Sequence, residues 1–156
     1  MQVERFLEAS AQRLPDKVAL VCGNRRLTYA DVDRQANRLA RGLIAAGVRR
    51  GDRVAIYLDN SIEAVLGIFA ALKAGAVFIV INPTTKADKL AFTLNNSRAA
   101  ALLTDDRHGG VVAEIAGRTP HTGMIVTSGR GGDDSVEGKR VLRLADLLRS
   151  AEDDSK

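Results

Sequence analysis

The chain has 156 residues, which is enough for one autonomous domain, and 46% of them are hydrophobic and 27% charged. The net charge of +4 is spread among interleaved acids and bases, and aromatic residues make up 4%, so the sequence argues against a nucleic-acid interface. The single Cys22 excludes an intramolecular disulfide, and its place at the end of an apolar run predicts a small buried hydrophobe.

The N-terminal quarter predicts a helix, a hairpin and a second helix. Apolar residues among charges across residues 3–14 predict an amphipathic helix that ends before Pro15. Residues 18–22 and 26–29 predict two short strands around a glycine-containing turn. Apolar residues at helical spacing across residues 32–44 predict the second helix, with Thr28 and Asp31 as its capping box.

The middle of the chain predicts the core. Residues 53–58 predict a strand, and Ser61 is the expected N-cap of a helix that Gly75 ends. That helix carries so little polar surface that we expect it inside the domain. Residues 77–81 are five consecutive apolar residues, which predict a parallel strand covered on both faces.

The C-terminal half continues the alternation. Thr85 and Asp88 form a second capping-box pattern before a short helix, and residues 99–104 predict a strand. A helix from residue 111, a strand at 124–127 and a last short helix near Leu144 are also predicted, whereas the glycines and aspartates of residues 128–139 predict a mobile loop.

These elements predict an α/β fold with a mostly parallel sheet, helices on both faces and a small antiparallel hairpin near residues 18–29. The expected organisation is an α/β subdomain over residues 1–127, a flexible Gly-rich loop over 128–140, and a short helix and tail over 141–156. The N-terminus lacks a secretory signal and the chain lacks a membrane-spanning apolar stretch, so we expect a cytoplasmic location.

Six short blocks carry a resemblance to a known family. They are Leu27-Thr28-Tyr29, Ala36-Asn37-Arg38-Leu39-Ala40, Gly51-Asp52-Arg53-Val54-Ala55-Ile56, Asn60-Ser61-Ile62-Glu63, Leu72-Lys73-Ala74-Gly75-Ala76-Val77 and Ile81-Asn82-Pro83. Their order and spacing resemble the opening of the AMP-forming adenylate family, which includes acyl-CoA synthetases and acyl-AMP ligases. The resemblance implies the N-terminal subdomain of an enzyme that converts a carboxylate and ATP into an acyl-adenylate and pyrophosphate, with a thioester formed next in some members.

The resemblance ends before the family's catalytic motifs. ATP, Mg²⁺ and, in thioester-forming members, CoA are implied for the full-length enzyme, whose remainder is the expected partner. The family's phosphate loop, ribose-binding aspartate and C-terminal lysine would all lie downstream, so we expect the 156-residue chain itself to be inactive. We assign it no catalytic, cofactor-binding or metal residue. Residues 78–85 favour the fatty-acyl members, and fatty acid metabolism is the expected setting.

A second hypothesis is a stand-alone, non-catalytic binding or dimerisation module that uses the same fold. A sheet cut from a larger domain exposes an apolar face or an unpaired edge, which recruits another copy. This hypothesis predicts self-association as a dimer.

Other candidate motifs favour structural interpretations. Residues 126–132 resemble a phosphate loop but lack its Pro-Lys-Gly ending, and Gly138-Lys139 fails the Walker pattern because Arg140 replaces the Ser or Thr. His108 and His121 have no ligand-spaced partner in the sequence, so we expect exposed polar residues.

The remaining candidates are acidic pairs and one loop. Asp105-Asp106 and Asp133-Asp134 are expected to serve as turn residues or caps rather than metal ligands. Residues 82–85, Asn-Pro-Thr-Thr, follow the strand expected to be most buried, where open α/β sheets place ligands. Because Asn before Pro also starts turns, the turn interpretation is the stronger one.

Overall fold

The structure is a computed structural model that describes residues 2–129 and 135–150. It contains a two-stranded sheet and a six-stranded sheet with helices around them. In chain order the elements are α1 Glu4–Arg13, β1 Val18–Cys22, β2 Arg25–Thr28, α2 Tyr29–Ala45, β3 Arg53–Ile56, α3 Ile62–Lys73, β4 Val77–Val80, α4 Ala87–Ser97, β5 Ala101–Asp105, a 3₁₀ turn Asp106–His108, α5 Gly109–Ile115, a 3₁₀ turn Ala116–Arg118, β6 Met124–Ser128, β7 Ser135–Val136, β8 Lys139–Arg143 and α6 Leu144–Ser150.

The larger sheet has the strand order β4-β3-β5-β6-β8-β7. Strands β4, β3, β5, β6 and β8 run parallel, and β7 pairs antiparallel with β8. Strands β1 and β2 form the separate antiparallel hairpin. The predicted α/β class, parallel sheet and hairpin are therefore confirmed.

The sheet separates two apolar cores, because successive side chains of a strand point to opposite faces. In β3, Val54 and Ile56 join the core that α1, α2, α3 and α6 cover, which includes Leu39 and Leu66. Ala55 belongs to the other core, together with residues of α4 and α5. Helices thus cover both faces, as the sequence predicts.

Two helix starts form as predicted. The hydroxyl of Thr28 accepts the N–H of Asp31 at 3.1 Å, and the carboxylate of Asp31 accepts the N–H of Thr28 at 3.0 Å, which closes the capping box of α2. The bond from the Thr28 backbone is the main reason that the pKa of Asp31 lies below its ordinary value. At α3, Ser61 Oγ accepts the N–H of Ala64 at 3.1 Å.

Helix α3 lies inside the domain, and each of its residues is buried or half-buried. Gly67 brings it directly onto the sheet: a Cβ at that position would lie 2.8 Å from Leu103 Cδ2 on β5. On its other side α3 packs against α2. The prediction of a sandwiched helix is confirmed.

Lys73, at the end of α3, ties three helices together. Its ammonium lies 2.9 Å from Glu8 of α1 and 2.8 Å from Asp33 of α2, and its side chain is 6% exposed. Burial acts to lower the pKa of Lys73, but hydrogen bonds and charge attraction from Asp33 and Glu8 together raise it above the ordinary value. A buried cation is acceptable here because it has two carboxylate partners.

The prediction that residues 77–81 form the most buried strand is wrong. Strand β4 stands at the end of the sheet, and Val77, Phe78 and Val80 are exposed. The fully buried strand is β5, which lies between β3 and β6. An apolar run of β-branched residues specifies a strand, but strand order decides how much of it is covered.

Two local predictions are also wrong. The structure places the N-cap of α4 at Lys86, without a side-chain cap, so Thr85 does not form a capping box with Asp88. Cys22 is exposed, because the hairpin lies at the periphery and presents Ala19 and Leu20 to the core instead.

Strands β7 and β8 lie in and just beyond the segment expected to be a loop. Strand β8 extends the parallel sheet beside β6. Its sequence gave no strand signal, since three of the five residues Lys139–Arg143 are basic. Residues 130–134 of that segment and residues 151–156, where the tail is expected, lie outside the described residues. Within residues 2–129 and 135–150, the helices lack the length and apolar character needed to cross a bilayer.

Candidate functional site

The segments that follow β3, β4 and β5 meet at the carboxyl edge of the sheet around a cavity of about 490 Å³. Open parallel sheets commonly bind ligands at this edge. The cavity is lined by Tyr57, Pro83, Thr84, Thr85, Lys86, Ala87, Asp88, His108, Val111 and Glu114. Three of the four residues 82–85 that were singled out from the sequence therefore line a concave surface.

His108 is the central polar side chain of this edge. Its Nδ1 lies 2.7 Å from Asp105 Oδ1 and its Nε2 lies 3.2 Å from the carbonyl oxygen of Pro83. Both partners are acceptors, so a neutral ring donates to one of them at a time. The prediction that His108 is an exposed polar residue is wrong: its side chain is 12% exposed. His121 is exposed, as predicted.

Tyr57 supports the same segment from β3. Its hydroxyl donates to the carbonyl oxygen of Thr85 at 2.6 Å. Burial raises the pKa of Tyr57, and the negative charges of Asp105 and Asp59 raise it further, so the hydroxyl remains a proton donor. Arg107 lies between these two acids, 2.7 Å from Asp59 and 3.3 Å from Asp105.

Asn82 shapes the loop itself. Its Oδ1 accepts the N–H of Thr84 at 2.9 Å and the Thr84 hydroxyl at 2.8 Å, and its carbonyl accepts the N–H of Thr85. This is the side-chain turn that Asn forms readily. The turn interpretation of Asn82 is confirmed, while the three residues after it line the cavity.

The part of the Gly-rich segment that the structure describes does not fit a phosphate. At the end of β6, a Cβ on Gly129 would lie 2.1 Å from Asp106 Oδ2, so a carboxylate stands against this backbone. Thr127 Oγ1 contacts the same carboxylate at 3.5 Å. An anion in this position would repel a second anion. Residues 130–132 lie outside the described residues.

Lys139 is engaged with the backbone. Its ammonium donates to the carbonyl oxygens of Thr119 and Thr122 at 2.8 and 2.6 Å. Burial lowers the pKa of Lys139. These bonds hold the start of β8 against the segment before β6. Lys139 therefore has a structural role that does not require a bound nucleotide.

The adjacent acidic residues Asp105 and Asp106 make different contacts. Across residues 2–129 and 135–150, no group of three or more His, Cys, Asp or Glu is placed to hold a metal. Asp105 caps the 3₁₀ turn and contacts His108, whereas Asp106 points to Thr127, so the adjacent carboxylates diverge as predicted. Asp133 and Asp134 lie outside the described residues.

At the carboxyl edge, Tyr57 and His108 thus contact the loop of residues 83–85 beside the cavity. The sequence pattern gives no indication of the roles of Tyr57, Asp59 and Arg107. An acid directly after a buried strand and a histidine three residues later was a usable signal for the Asp105–His108 contact. The other partners of His108, Pro83 and Tyr57, follow different strands, so these contacts could not be predicted from the sequence.

Comparison with known proteins gives this edge a context. A medium/long-chain-fatty-acid–CoA/3-oxocholest-4-en-26-oate–CoA ligase from Mycobacterium tuberculosis is 35% identical over 133 residues, which cover 85% of this chain and 24% of the ligase. Bacitracin synthase 1 from Bacillus licheniformis is 40% identical over 105 residues, covering 67% of this chain and 2% of the synthase. The chain thus spans about a quarter of the ligase and far less of the synthase.

Solved structures agree with these relatives. The anthranilate CoA ligase AuaEII, in complex with anthranoyl-AMP, superposes with a TM-score of 0.88 and 28% identity, covering 96% of this chain and 28% of that one. Mycobacterium smegmatis MbtA superposes with a TM-score of 0.82 and 29% identity, covering 97% and 27%. The fold matches the N-terminal domain of adenylate-forming enzymes. Residues 7–151 match the AMP-binding enzyme family, and the chain belongs to that family.

Proposed function

We propose that this chain is the N-terminal scaffold of an AMP-forming acyl-CoA ligase that activates medium- or long-chain fatty acids. The observation that carries the proposal is the 35% identity to a fatty-acid–CoA ligase across 85% of the chain. In the reaction, a carboxylate oxygen attacks the α-phosphorus of ATP. The phosphoanhydride bond between the α- and β-phosphates breaks, and pyrophosphate leaves. The thiol sulfur of CoA then attacks the acyl carbonyl, and AMP leaves.

The residues of this chain contribute support rather than charge chemistry. Such a reaction needs donors placed where negative charge develops, and the described residues hold a carboxylate at Gly129 and commit Lys139 to carbonyls. What the chain provides is a rigid edge, in which Tyr57 and His108 fix the loop over residues 82–85. We therefore expect the isolated chain to be inactive.

A replacement experiment tests the proposal. Residues 1–151 would substitute for the matching segment of the M. tuberculosis ligase, and fatty-acid-dependent exchange between pyrophosphate and ATP would be measured. We expect exchange from the chimera and none from the 156-residue chain. A folded but inactive chimera would contradict the scaffold role, and exchange by the isolated chain would contradict the division of labour.

A second function, a stand-alone binding or dimerisation module, has one observation in its favour. The exposed apolar residues Val77, Phe78 and Val80 lie on the strand that ends the sheet. A module of this kind would be recognised by a chain that associates but does not support exchange in any chimera.

A further inference from the structure

Strand β4 presents unused backbone groups at the border of the sheet. In the part of the chain that the structure describes, β4 pairs with β3 and with no other strand. The N–H groups of Val77 and Ile81 donate to Asp52 and Ile56 on the β3 side at 2.8 and 2.9 Å. Successive residues of a strand direct their backbone N–H and C=O groups to opposite sides. The backbone groups of Ile79 therefore also face β3, while those of Phe78 and Val80 point away from the sheet.

The side chains of this border are apolar and accessible. Val77, Phe78 and Val80 are 50%, 37% and 59% exposed. Residues 76–81 contain no charge and no proline. Proteins normally protect a sheet border with charges, proline, a bulge or a covering element, since an unprotected one accepts another strand. Strand β4 has none of the first three devices.

We propose that two copies of this chain associate by antiparallel pairing of β4 about a two-fold axis at Ile79. In this register Phe78 lies opposite Val80 of the second copy, and Val80 lies opposite its Phe78. Both members of each pair direct their backbone groups outward, so each pair exchanges two hydrogen bonds. The assembly is isologous and joins the two sheets into one.

The register is restricted by the backbone. A slip of one residue would place Ile79 opposite an outward-facing residue, although its groups are bonded to β3. The register centred on Ile79 pairs both outward-facing residues of β4. It also places an apolar side chain beside an apolar side chain on the same face, which stabilises paired strands.

The composition of β4 favours a second copy over a charged partner. Nothing on residues 76–81 would attract an acidic or basic segment, and an uncharged border does not repel itself. In the pairing, β4 of each copy supplies both the donors and the acceptors that β4 of the other copy needs, so the surface is complementary to itself. The inference goes beyond the proposed function and does not depend on adenylating activity.

Sedimentation of the purified chain over a concentration series tests the pairing. We expect a monomer–dimer equilibrium whose dissociation constant rises at least about tenfold in Val80→Lys, which sets a charge against Phe78 of the second copy. The matched control is Phe92→Lys, which adds the same charge at a residue that is 67% exposed on α4. We expect that variant to dimerise like the parent.

Hydrogen exchange on the unmodified chain provides a test that needs no substitution. The amides of Phe78 and Val80 should exchange more slowly as concentration rises, whereas an association through side chains elsewhere would leave them fast. A monomer at every concentration would overturn the proposal. So would a dimer that Phe92→Lys disrupts and Val80→Lys does not. The assay of pyrophosphate–ATP exchange by the chimera does not depend on whether the chain dimerises, so the two proposals can fail separately.

Discussion

The ring of His108 lies 4.4 Å from the ring of Tyr57, at an interplanar angle of 47°. This contact joins the segment after β5 to the end of β3, and each residue also contacts the loop that follows β4. His108 faces the carbonyl of Pro83, and Tyr57 donates to the carbonyl of Thr85. The loop is therefore held from two sides by residues far away in the sequence.

Replacing His108 should loosen this loop. His108→Ala removes the contacts with Asp105, Pro83 and Tyr57, and it leaves a nearly buried carboxylate without its ring partner. We expect the free energy of unfolding to fall by about 2 kcal/mol, measured by urea denaturation at neutral pH.

The second histidine is the matched control. His121 is exposed, so His121→Ala should change the free energy of unfolding by less than about 0.5 kcal/mol. Equal effects of the two substitutions would mean that the His108 contacts contribute nothing to stability.

Removing one hydroxyl isolates the other support. Tyr57→Phe keeps the buried ring but deletes the bond to Thr85, which leaves that carbonyl without this donor. We expect a loss of about 1 kcal/mol in the free energy of unfolding. Tyr29→Phe is the control, because the Tyr29 hydroxyl makes no hydrogen bond within the described residues. Its effect should be close to zero, and an equal loss in both variants would contradict the role of the Tyr57 bond.

The ion cluster of Lys73, Glu8 and Asp33 should make the free energy of unfolding decrease at alkaline pH. The pKa of Lys73 in the folded chain lies above its ordinary value of 10.5, owing to Asp33 and Glu8, which outweigh burial. A raised pKa means that the stabilisation is fully present below the ordinary value. It is lost as pH rises from there through the folded-state value.

Lys73→Met tests this behaviour. At pH 7 we expect it to reduce the free energy of unfolding by about 1 to 2 kcal/mol, since both carboxylates are partly exposed and recover some hydration. The difference from the parent should shrink above the ordinary lysine pKa. Lys89→Met, at an exposed site on α4, should show neither effect. A difference that stays constant into strongly alkaline solution would rule out the linkage.

The fold could be predicted from the sequence where local signals and tertiary packing agree. Thr28 and Asp31, and then Ser61, form the caps that their spacing indicates, because a cap is completed within four residues. The apolar faces of α2 and α3 also have a period that allows one structure. These elements, with the alternation of strands and helices, sufficed for the α/β class.

The errors occur where information comes from distant residues. Burial of β4 depends on which strand lies beside it, and the run of residues 77–81 does not encode that neighbour. Strand β8 is a strand because β6 offers it a ladder, in spite of its basic composition. The contacts of His108 were missed for the same reason, since Tyr57 and Pro83 lie far from it in the sequence.

Gly67 has a consequence for the whole helical layer over one face of the sheet. Because glycine has no Cβ, α3 can approach Leu103 at this position more closely than it could with any other residue. Since α2 rests on α3, and Lys73 at the end of α3 holds α1, an outward displacement at residue 67 would be passed on to both neighbours. A side chain at residue 67 would therefore affect the packing of three helices, although its Cβ would lie nearest to two residues of the sheet, Leu103 and Ile56.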